Sequence, residues 1–179
     1  TAVVFGAGCI GLVSMMALKA CGVSKVYVVD IMEKRLEKAL ELGADGVING
    51  KEVDVLEKAK ELTGGEGFDL AVETAGTEIT TNQAIQTVRK GANIVLVGYG
   101  KTGMMNLMIS LALDKEVTFK TVFRYRHIYP MAIDAVEQGK VNLKGIATHI
   151  FDFDDIQTAM DRSINEKAEI VKAVVKIAK

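Results

Sequence analysis

Short apolar runs alternate with amphipathic stretches along most of the chain. The runs VVF, VYVV and IVLV are apolar at every position and lack the polar–apolar alternation of a half-exposed strand. Strands of this kind are typical of a parallel sheet that helices cover on both faces. We predict six such strands, at residues 2–5, 25–30, 46–48, 68–72, 92–97 and 117–122.

The stretches between these strands have the spacing of helices. Apolar residues recur on one helix face in two of them, first at Ile10, Val13, Ala17 and Ala20, and again at Val55, Leu56, Ala59 and Leu62. We predict helices at residues 9–21, 33–42, 55–62, 81–90 and about 107–114. The regular strand–helix order predicts an α/β protein.

The rhythm changes near Gly145. Before it, Pro130 fits the first turn of a helix that ends near Gln138. After it, we predict a strand at 148–151, a short helix that Asp152 or Asp154 caps and that ends near residue 165, and a strand at 170–177. We therefore divide the chain into a domain of residues 1–145 and a C-terminal strand–helix–strand segment of residues 146–179.

Composition narrows the class of protein. Of the 179 residues, 49% are hydrophobic and 25% are charged, and the net charge of −1 argues against a nucleic-acid binder. No apolar run is long enough to span a bilayer. Cys9 and Cys21 fall on one predicted helix and indicate no disulfide framework, which favours a reducing compartment, the cytoplasm. With His127 and His149 they offer no converging set of metal ligands, so we predict no metal site. Because the chain begins at Thr1 and not at Met, we expect a piece of a longer protein.

Three glycines follow the first predicted strand with the spacing G-x-G-x-x-G and open the first helix. Gly6 allows a tight turn, Gly8 lets a phosphate approach the backbone, and Gly11 lets the helix pack close to the strand. The backbone N–H groups near Cys9 and Ile10 are then free to donate to a diphosphate at the helix N-terminus.

Asp30 favours a dinucleotide as the ligand of this turn. It ends the second predicted strand, about 20 residues past the turn, where a carboxylate accepts hydrogen bonds from the adenosine ribose and repels the 2′-phosphate of NADP. NAD is therefore the favoured cofactor. Arg35 lies in the first turns of the next helix, either over the adenine face or as a solvated surface charge. A flavin site, an S-adenosylmethionine site and a glycine turn without a ligand remain alternatives.

Three further segments follow later strands, at residues 73–76, 98–100 and 123–126. Ligands of open α/β sheets bind beyond the carboxyl ends of the strands, so these segments belong to the same edge. Small residues in the first two either admit the nicotinamide half of a cofactor or form ordinary turns. The third crowds arginines and aromatic residues together, which suits a polar, hydroxyl-rich or anionic ligand better than RNA in a slightly acidic chain.

Three stretches resemble the zinc-containing medium-chain dehydrogenases, and among them the polyol branch of sorbitol and xylitol dehydrogenases. They are GAGCIGLVSMMALKACGVSKVYVVDIMEKRLEKALELGADGVIN, FDLAVETAG and VFRYRHIYPMAIDAVEQGKVNLKGIATHIF. The resemblance covers essentially the whole chain but only the second half of such an enzyme. It implies a Rossmann fold, a doubly wound parallel sheet in the order 3-2-1-4-5-6 with helices on both faces, followed by the C-terminal strand–helix–strand segment.

The resemblance also implies a role for individual residues. The implied cofactor-binding residues are Gly6, Gly8, Cys9, Ile10, Gly11, Asp30, Arg35, Thr74, Val97, Gly98, Val122, Phe123 and Arg124. Arg124 and Tyr125 match an Arg-Tyr pair that reaches towards the polyol in the family. The tail from about Thr148 is implied to return to an N-terminal catalytic domain, which carries the zinc ligands and the proton relay and is not part of this sequence.

In the family's reaction, NAD accepts a hydride from a secondary alcohol while zinc stabilises the alkoxide. This chain carries none of the implied catalytic residues, so we expect it to bind NAD(H) weakly and to turn over no polyol by itself. A stand-alone NAD(H)-binding module and the cofactor half of a threonine or diol dehydrogenase are the alternatives. We expect a homo-oligomer, for which the sixth strand offers a free edge, and neither nucleic acid nor membrane as a partner.

Overall fold

Six strands form one parallel sheet in the computed structural model, which describes residues 1–100 and 102–178. They are β1 (Ala2–Phe5), β2 (Val26–Asp30), β3 (Gly46–Asn49), β4 (Phe68–Glu73), β5 (Val88–Leu96) and β6 (Thr118–Thr121). Their order across the sheet is β3-β2-β1-β4-β5-β6, and every neighbouring pair is parallel. This order confirms the predicted Rossmann topology, in which the strand sequence reverses between β1 and β4.

Helices cover both faces of this sheet. They are α1 (Cys9–Ala20), α2 (Glu33–Glu41), α3 (Val55–Thr63), α4 (Glu78–Thr87), α5 (Ile109–Asp114) and α6 (Tyr129–Glu137). Alternate residues of β1 enter two separate cores: Val3 and Phe5 pack with residues of α3, α4 and α5, whereas Val4 packs with residues of α1 and α2. Because all of β1 is buried, its sequence is apolar at every position, as the pattern predicted.

The prediction was wrong at the start of β5. Residues 88–90 were assigned to a helix over 81–90, but α4 ends at Thr87 and the next three residues belong to β5. Val88 is buried and pairs with Phe68 before the register shifts. An apolar residue three or four positions after Ala84 and Ile85 fits a helix face as well as a strand, so periodicity did not distinguish them. The other predicted boundaries of helices and strands in the six-stranded sheet lie within three residues of the observed ones.

The C-terminal segment forms a second, two-stranded parallel sheet. Its strands are β7 (Ala147–Asp152) and β8 (Lys172–Lys176), and a 3-10 turn (Phe153–Asp155) and α7 (Ile156–Asn165) connect them. The predicted strand–helix–strand order is thereby confirmed. Within residues 1–100 and 102–178, no helix combines the length and the apolar character that a membrane crossing requires.

Candidate functional site

The glycine turn, residues 6–11, lies at the carboxyl end of β1. The packing of the chain itself requires two of its three glycines. Gly6 has a φ of +98° and donates its N–H to the Val29 carbonyl at 2.7 Å. A Cβ on Gly6 would lie 2.9 Å from the Thr74 hydroxyl oxygen, and a Cβ on Gly11 would lie 1.8 Å from the Gly6 carbonyl oxygen. The first turn of α1 therefore packs against the end of β1 too closely for any side chain, as the glycine spacing predicted.

Gly8 differs from the other two glycines. Its φ of −73° and ψ of −178° are open to any residue, and an added Cβ would meet no described atom within 4 Å apart from those of its two chain neighbours. Neither backbone conformation nor internal packing therefore demands glycine at this position. The open space lies at the N-terminus of α1, where no side chain caps the helix and the first turn carries no acidic residue. An anionic group fits this space, because the helix presents its first N–H groups there.

Asp30 ends β2 and is tied directly to the glycine turn. Its Oδ2 accepts a hydrogen bond from the Ala7 N–H at 2.6 Å, and its Oδ1 accepts from the N–H groups of Ile31 at 2.7 Å and Met32 at 2.9 Å. Two donors occupy Oδ1, whereas Oδ2 retains an acceptor position. The half-buried carboxylate thus fixes the turn and keeps an oxygen for a ligand hydroxyl.

Thr74 joins the end of β4 to the end of β1. Its hydroxyl and its N–H both donate to the Phe5 carbonyl, at 2.8 and 2.9 Å. The hydroxyl oxygen also lies 2.9 Å from the Cβ that either Gly6 or Gly11 would carry. Thr74 therefore packs directly against the glycine turn, and its hydroxyl already donates its proton to the Phe5 carbonyl.

Sequence reasoning missed Glu73, which organises the second half of this edge. The residue is 1% exposed, and its Oε1 accepts hydrogen bonds from the N–H groups of Ala75 at 2.8 Å and Gly76 at 2.9 Å and from the Thr80 hydroxyl at 2.8 Å. A Cβ on Gly98 would lie 2.7 Å from Glu73 Oε2 and 2.2 Å from the Gly76 nitrogen. The available signal was an acid that ends the apolar strand FDLAVE, because a buried carboxylate needs several donors.

The ends of four strands stand in one row. Phe5 pairs with Glu73, Glu73 with Leu96, and Leu96 with Thr121. The predicted nicotinamide-side residues follow directly after this row: Val97, Gly98, Val122 and Phe123. The N–H groups of Val97 and Gly98 donate to the Glu73 carbonyl, and the Val122 N–H donates to the Leu96 carbonyl. The backbones of Val97, Gly98 and Val122 are therefore fixed at the same edge as the glycine turn.

Arg124 and Tyr125 lie in the turn that leads from β6 to α6. The Arg124 guanidinium stands over the Phe123 ring, 5.0 Å from its centroid, and the Tyr125 ring packs edge-on against Tyr129 at 4.9 Å. Both side chains are exposed, and Phe123 is 78% exposed. The chain turns sharply at His127, whose φ is +51°. The structure therefore brings these residues together as one exposed aromatic and basic group.

Arg35 is engaged with the C-terminal segment. Its Nη2 donates to the Lys167 carbonyl at 2.6 Å, while its Nε is buried and has no hydrogen-bond partner among the described residues. The predicted position of this guanidinium over an adenine stays a prediction. Nor does the part of the chain covered by the structure contain a group of three His, Cys, Asp or Glu residues that could hold a metal ion.

The chain is similar to known proteins of one enzyme family. A family model described as zinc-binding dehydrogenase matches residues 9–138. Sorbitol dehydrogenase of Bacillus subtilis is 34% identical over 175 residues, which are 98% of this chain and 50% of that enzyme. A solved structure of an oxidoreductase/dehydrogenase of unknown specificity from Escherichia coli has a TM-score of 0.94 and 40% identity, and it covers 100% of this chain and 51% of its own.

A structure complexed with the cofactor NADH is also similar. It is a short chain alcohol dehydrogenase from Escherichia coli CFT073 with a TM-score of 0.89 and 27% identity, matched over 99% of this chain and 52% of its own. The chain spans about half the length of the curated relatives it matches.

Proposed function

Because this chain belongs to the zinc-binding dehydrogenase family, we propose that it is the NAD-binding portion of a zinc-dependent polyol dehydrogenase. The whole enzyme oxidises a secondary alcohol of a sorbitol- or xylitol-like polyol to a ketone and passes the hydride to NAD. The observation that carries the cofactor is the open space at Gly8, a glycine that neither packing nor backbone conformation explains. The likeness to sorbitol dehydrogenase supports the polyol.

The residues of the edge divide the work of holding the cofactor. The backbone at Gly8, Cys9 and Ile10 donates to the diphosphate, and the helix dipole of α1 adds to the attraction. The free acceptor position of Asp30 receives a ribose hydroxyl, and its charge disfavours the extra phosphate of NADP. Arg35 borders the adenosine end. Bound NAD supplies the hydride acceptor of the reaction.

The other half of the edge positions the nicotinamide and the substrate. Backbone and apolar groups at Val97, Gly98, Val122 and Phe123 flank the nicotinamide, and the buried Glu73 keeps Val97 and Gly98 in place through its carbonyl. The guanidinium of Arg124 and the phenol of Tyr125 donate to the hydroxyl groups of a polyol. Residues 1–145 form the cofactor domain, and residues 146–179 pack against the N-terminal half of the complete enzyme, which supplies the zinc.

The assembly and the location are part of the same proposal. The outer edge of β6 is unpaired in the described chain and suits pairing with a second copy in a homo-oligomer. Cys9 and Cys21 are both free thiols, which suits the reducing conditions of the cytoplasm.

Titration with NADH and NADPH tests the cofactor. We expect calorimetry to detect NADH binding to the chain and a Kd for NADPH at least about tenfold higher, because Asp30 faces the 2′ position. The Asp30→Asn variant loses the charge, and its amide NH2 replaces an oxygen that accepts a backbone N–H, so NADH should bind more weakly and the ratio of the NADPH Kd to the NADH Kd should fall towards one. Equal binding of NADH and NADPH to the unaltered chain would contradict the assignment of Asp30.

A second measurement tests whether catalysis requires the other half of the enzyme. The chain of residues 1–179 should produce no NADH from NAD and sorbitol, whereas the complete enzyme should do so in a zinc-dependent manner. Sorbitol oxidation by the chain alone would contradict the placement of the zinc and of the catalytic residues in the other half.

A further inference from the structure

The turn that follows α7 is docked on the N-terminus of α2. The Lys34 ammonium forms an ion pair with the Glu169 carboxylate, and Arg35 Nη2 donates to the Lys167 carbonyl at 2.6 Å. The turn is closed internally, because the N–H groups of Glu169 and Ile170 both donate to the Glu166 carbonyl at 3.0 Å. Two adjacent side chains of α2 therefore hold one rigid turn of the C-terminal segment.

The guanidinium of Arg35 is incompletely paired in this arrangement. Among the side-chain nitrogen and oxygen atoms that are buried in the described residues, its Nε is the one without a hydrogen-bond partner. A buried donor without an acceptor is unfavourable, and such atoms are rare in folded proteins. Because Nε is buried, an acceptor reaches it only when the guanidinium moves, and a bound ligand that moves it and brings an acceptor would satisfy this donor.

Arg35 is held at a fixed position relative to the carboxylate at the end of β2. The Met32 N–H donates to Asp30 Oδ1 at 2.9 Å, and the Arg35 N–H donates to the Met32 carbonyl at 3.0 Å. Asp30 and Arg35 thus lie on one hydrogen-bonded turn, at the place where the proposed function puts the adenosine end of the cofactor. The main chain of Arg35 belongs to the turn that carries Asp30, while its guanidinium contacts the C-terminal segment.

We propose that Arg35 couples the docking of residues 166–170 to the occupation of the adenosine pocket. Arg35 is a positioning residue: Nη2 holds the turn through the Lys167 carbonyl, and Nε donates to an oxygen or nitrogen acceptor of the adenosine moiety. A ligand that fixes the guanidinium lowers the entropy cost of docking the turn, and the docked turn lowers the cost of fixing the guanidinium for the ligand. Each event therefore strengthens the other by the same factor. The inference rests on the proposed function, since it requires a dinucleotide in the pocket.

Hydrogen exchange with ADP-ribose as the probe tests this coupling. ADP-ribose lacks the nicotinamide, so it occupies the adenosine and diphosphate positions without touching the segments after β5 and β6. At saturating ADP-ribose we expect the backbone amides of residues 167–170 to exchange about fivefold more slowly, or slower still, than in the free protein. Calorimetry on the same samples gives the Kd and shows that the probe is bound.

Two variants distinguish a coupling between ligand binding and docking of the turn from a simple contact between Arg35 and the turn. In Arg35→Met, which keeps the length of the side chain but has no donor, ADP-ribose should no longer slow exchange in residues 167–170, even at concentrations that restore saturation. The matched control is Lys34→Met, which removes the neighbouring anchor. It should speed exchange in the free protein but retain the slowing by ADP-ribose, because Arg35 is intact. Retained slowing in Arg35→Met would overturn the proposal.

The remaining outcomes separate this inference from the proposed function. If ADP-ribose binds to the unaltered protein and leaves exchange in residues 167–170 unchanged, the coupling is refuted and the cofactor assignment stands. If ADP-ribose and NADH both fail to bind at millimolar concentration, the cofactor assignment and the coupling are refuted together.

Discussion

Replacing Gly8 with alanine should separate stability from cofactor binding. The Cβ of an alanine at this position meets no described atom within 4 Å apart from its two chain neighbours, and the backbone conformation is allowed for alanine. Its methyl group would stand in the space at the mouth of α1 where we place the diphosphate. The fold should therefore tolerate the substitution, whereas the ligand should not.

The expected change in stability is small because two effects oppose each other. Glycine to alanine at a compatible φ and ψ stabilises a protein by about 0.4–1 kcal/mol, since the unfolded chain loses freedom. Alanine is a poorer N-cap residue than glycine, by about 1 kcal/mol at most. We expect the free energy of unfolding of Gly8→Ala to lie within about 1 kcal/mol of the unaltered value.

The expected change in binding is much larger. A methyl group that keeps a phosphate oxygen from one backbone N–H removes a hydrogen bond to a charged group, which contributes about 1.5–3 kcal/mol. The Kd for NADH should therefore rise about 10- to 150-fold. Urea denaturation gives the free energy of unfolding, and calorimetric titration with NADH gives the Kd.

Gly11→Ala serves as the contrasting variant. Its Cβ would lie 1.8 Å from the Gly6 carbonyl oxygen, so α1 must shift away from β1. We expect this variant to lose about 3 kcal/mol of stability or more. If Gly8→Ala binds NADH as tightly as the unaltered chain, or is destabilised as strongly as Gly11→Ala, the assignment of Gly8 to a phosphate is refuted.

Three further substitutions test the supporting contacts. Glu73→Gln replaces one carboxylate oxygen with an NH2 group, which cannot accept hydrogen bonds from the backbone N–H groups, so urea denaturation should detect a loss of about 2 kcal/mol in the free energy of unfolding. NADH should bind more weakly and ADP-ribose equally well, and an unaltered urea midpoint would contradict the role of Glu73. Burial raises the pKa of Asp45, but hydrogen bonds from the Lys19 ammonium and a backbone N–H outweigh it and leave that pKa below its usual value. This carboxylate stabilises the fold above its unfolded pKa of about 4 and loses the effect as pH falls through the lower folded pKa, so the Tm difference between the unaltered chain and Asp45→Asn should be largest above about pH 5 and shrink below about pH 4; a constant difference across this range would count against it. Lys115 Nζ donates to the carbonyls of Ile85 and Gln86 in α4 and of Val88 in β5, at 2.7–3.1 Å, although burial lowers the pKa of this ammonium. Lys115→Met leaves these carbonyls without their donor, so urea denaturation should detect a loss of about 1–3 kcal/mol, and an equally stable variant would contradict this role.

The fold could be predicted almost completely because the central strands β1 and β2 are buried on both faces and are apolar at nearly every position. The helices between the strands show the period of a single buried face. The one substantial error, at residues 88–90, arose where α4 passes into β5 without a polar linker. A buried valine at position 88 fits a strand as well as a helix, so the sequence does not distinguish the two.

The candidate site was predictable in part. The spacing of Gly6, Gly8 and Gly11 and the position of Asp30 follow from local geometry, so a sequence pattern identifies them. Glu73 was missed although its donors, at Ala75, Gly76 and Thr80, lie within seven residues of it, because an acid followed by small residues at a strand end is equally typical of an exposed turn. The engagement of Arg35 with Lys167 joins residues that are far apart in sequence, and no local pattern encodes such a contact.

The hydroxyl of Thr74 touches the space that a side chain at either Gly6 or Gly11 would need, which ties these three positions to one another. As related sequences diverge, we expect them to be retained or replaced as a set, because a change at one site removes room that the other two require. Position 8 escapes this constraint. A related sequence that keeps glycine at 6 and 11 and threonine at 74 but has a bulky residue at 8 would therefore retain this fold and no longer bind the nucleotide.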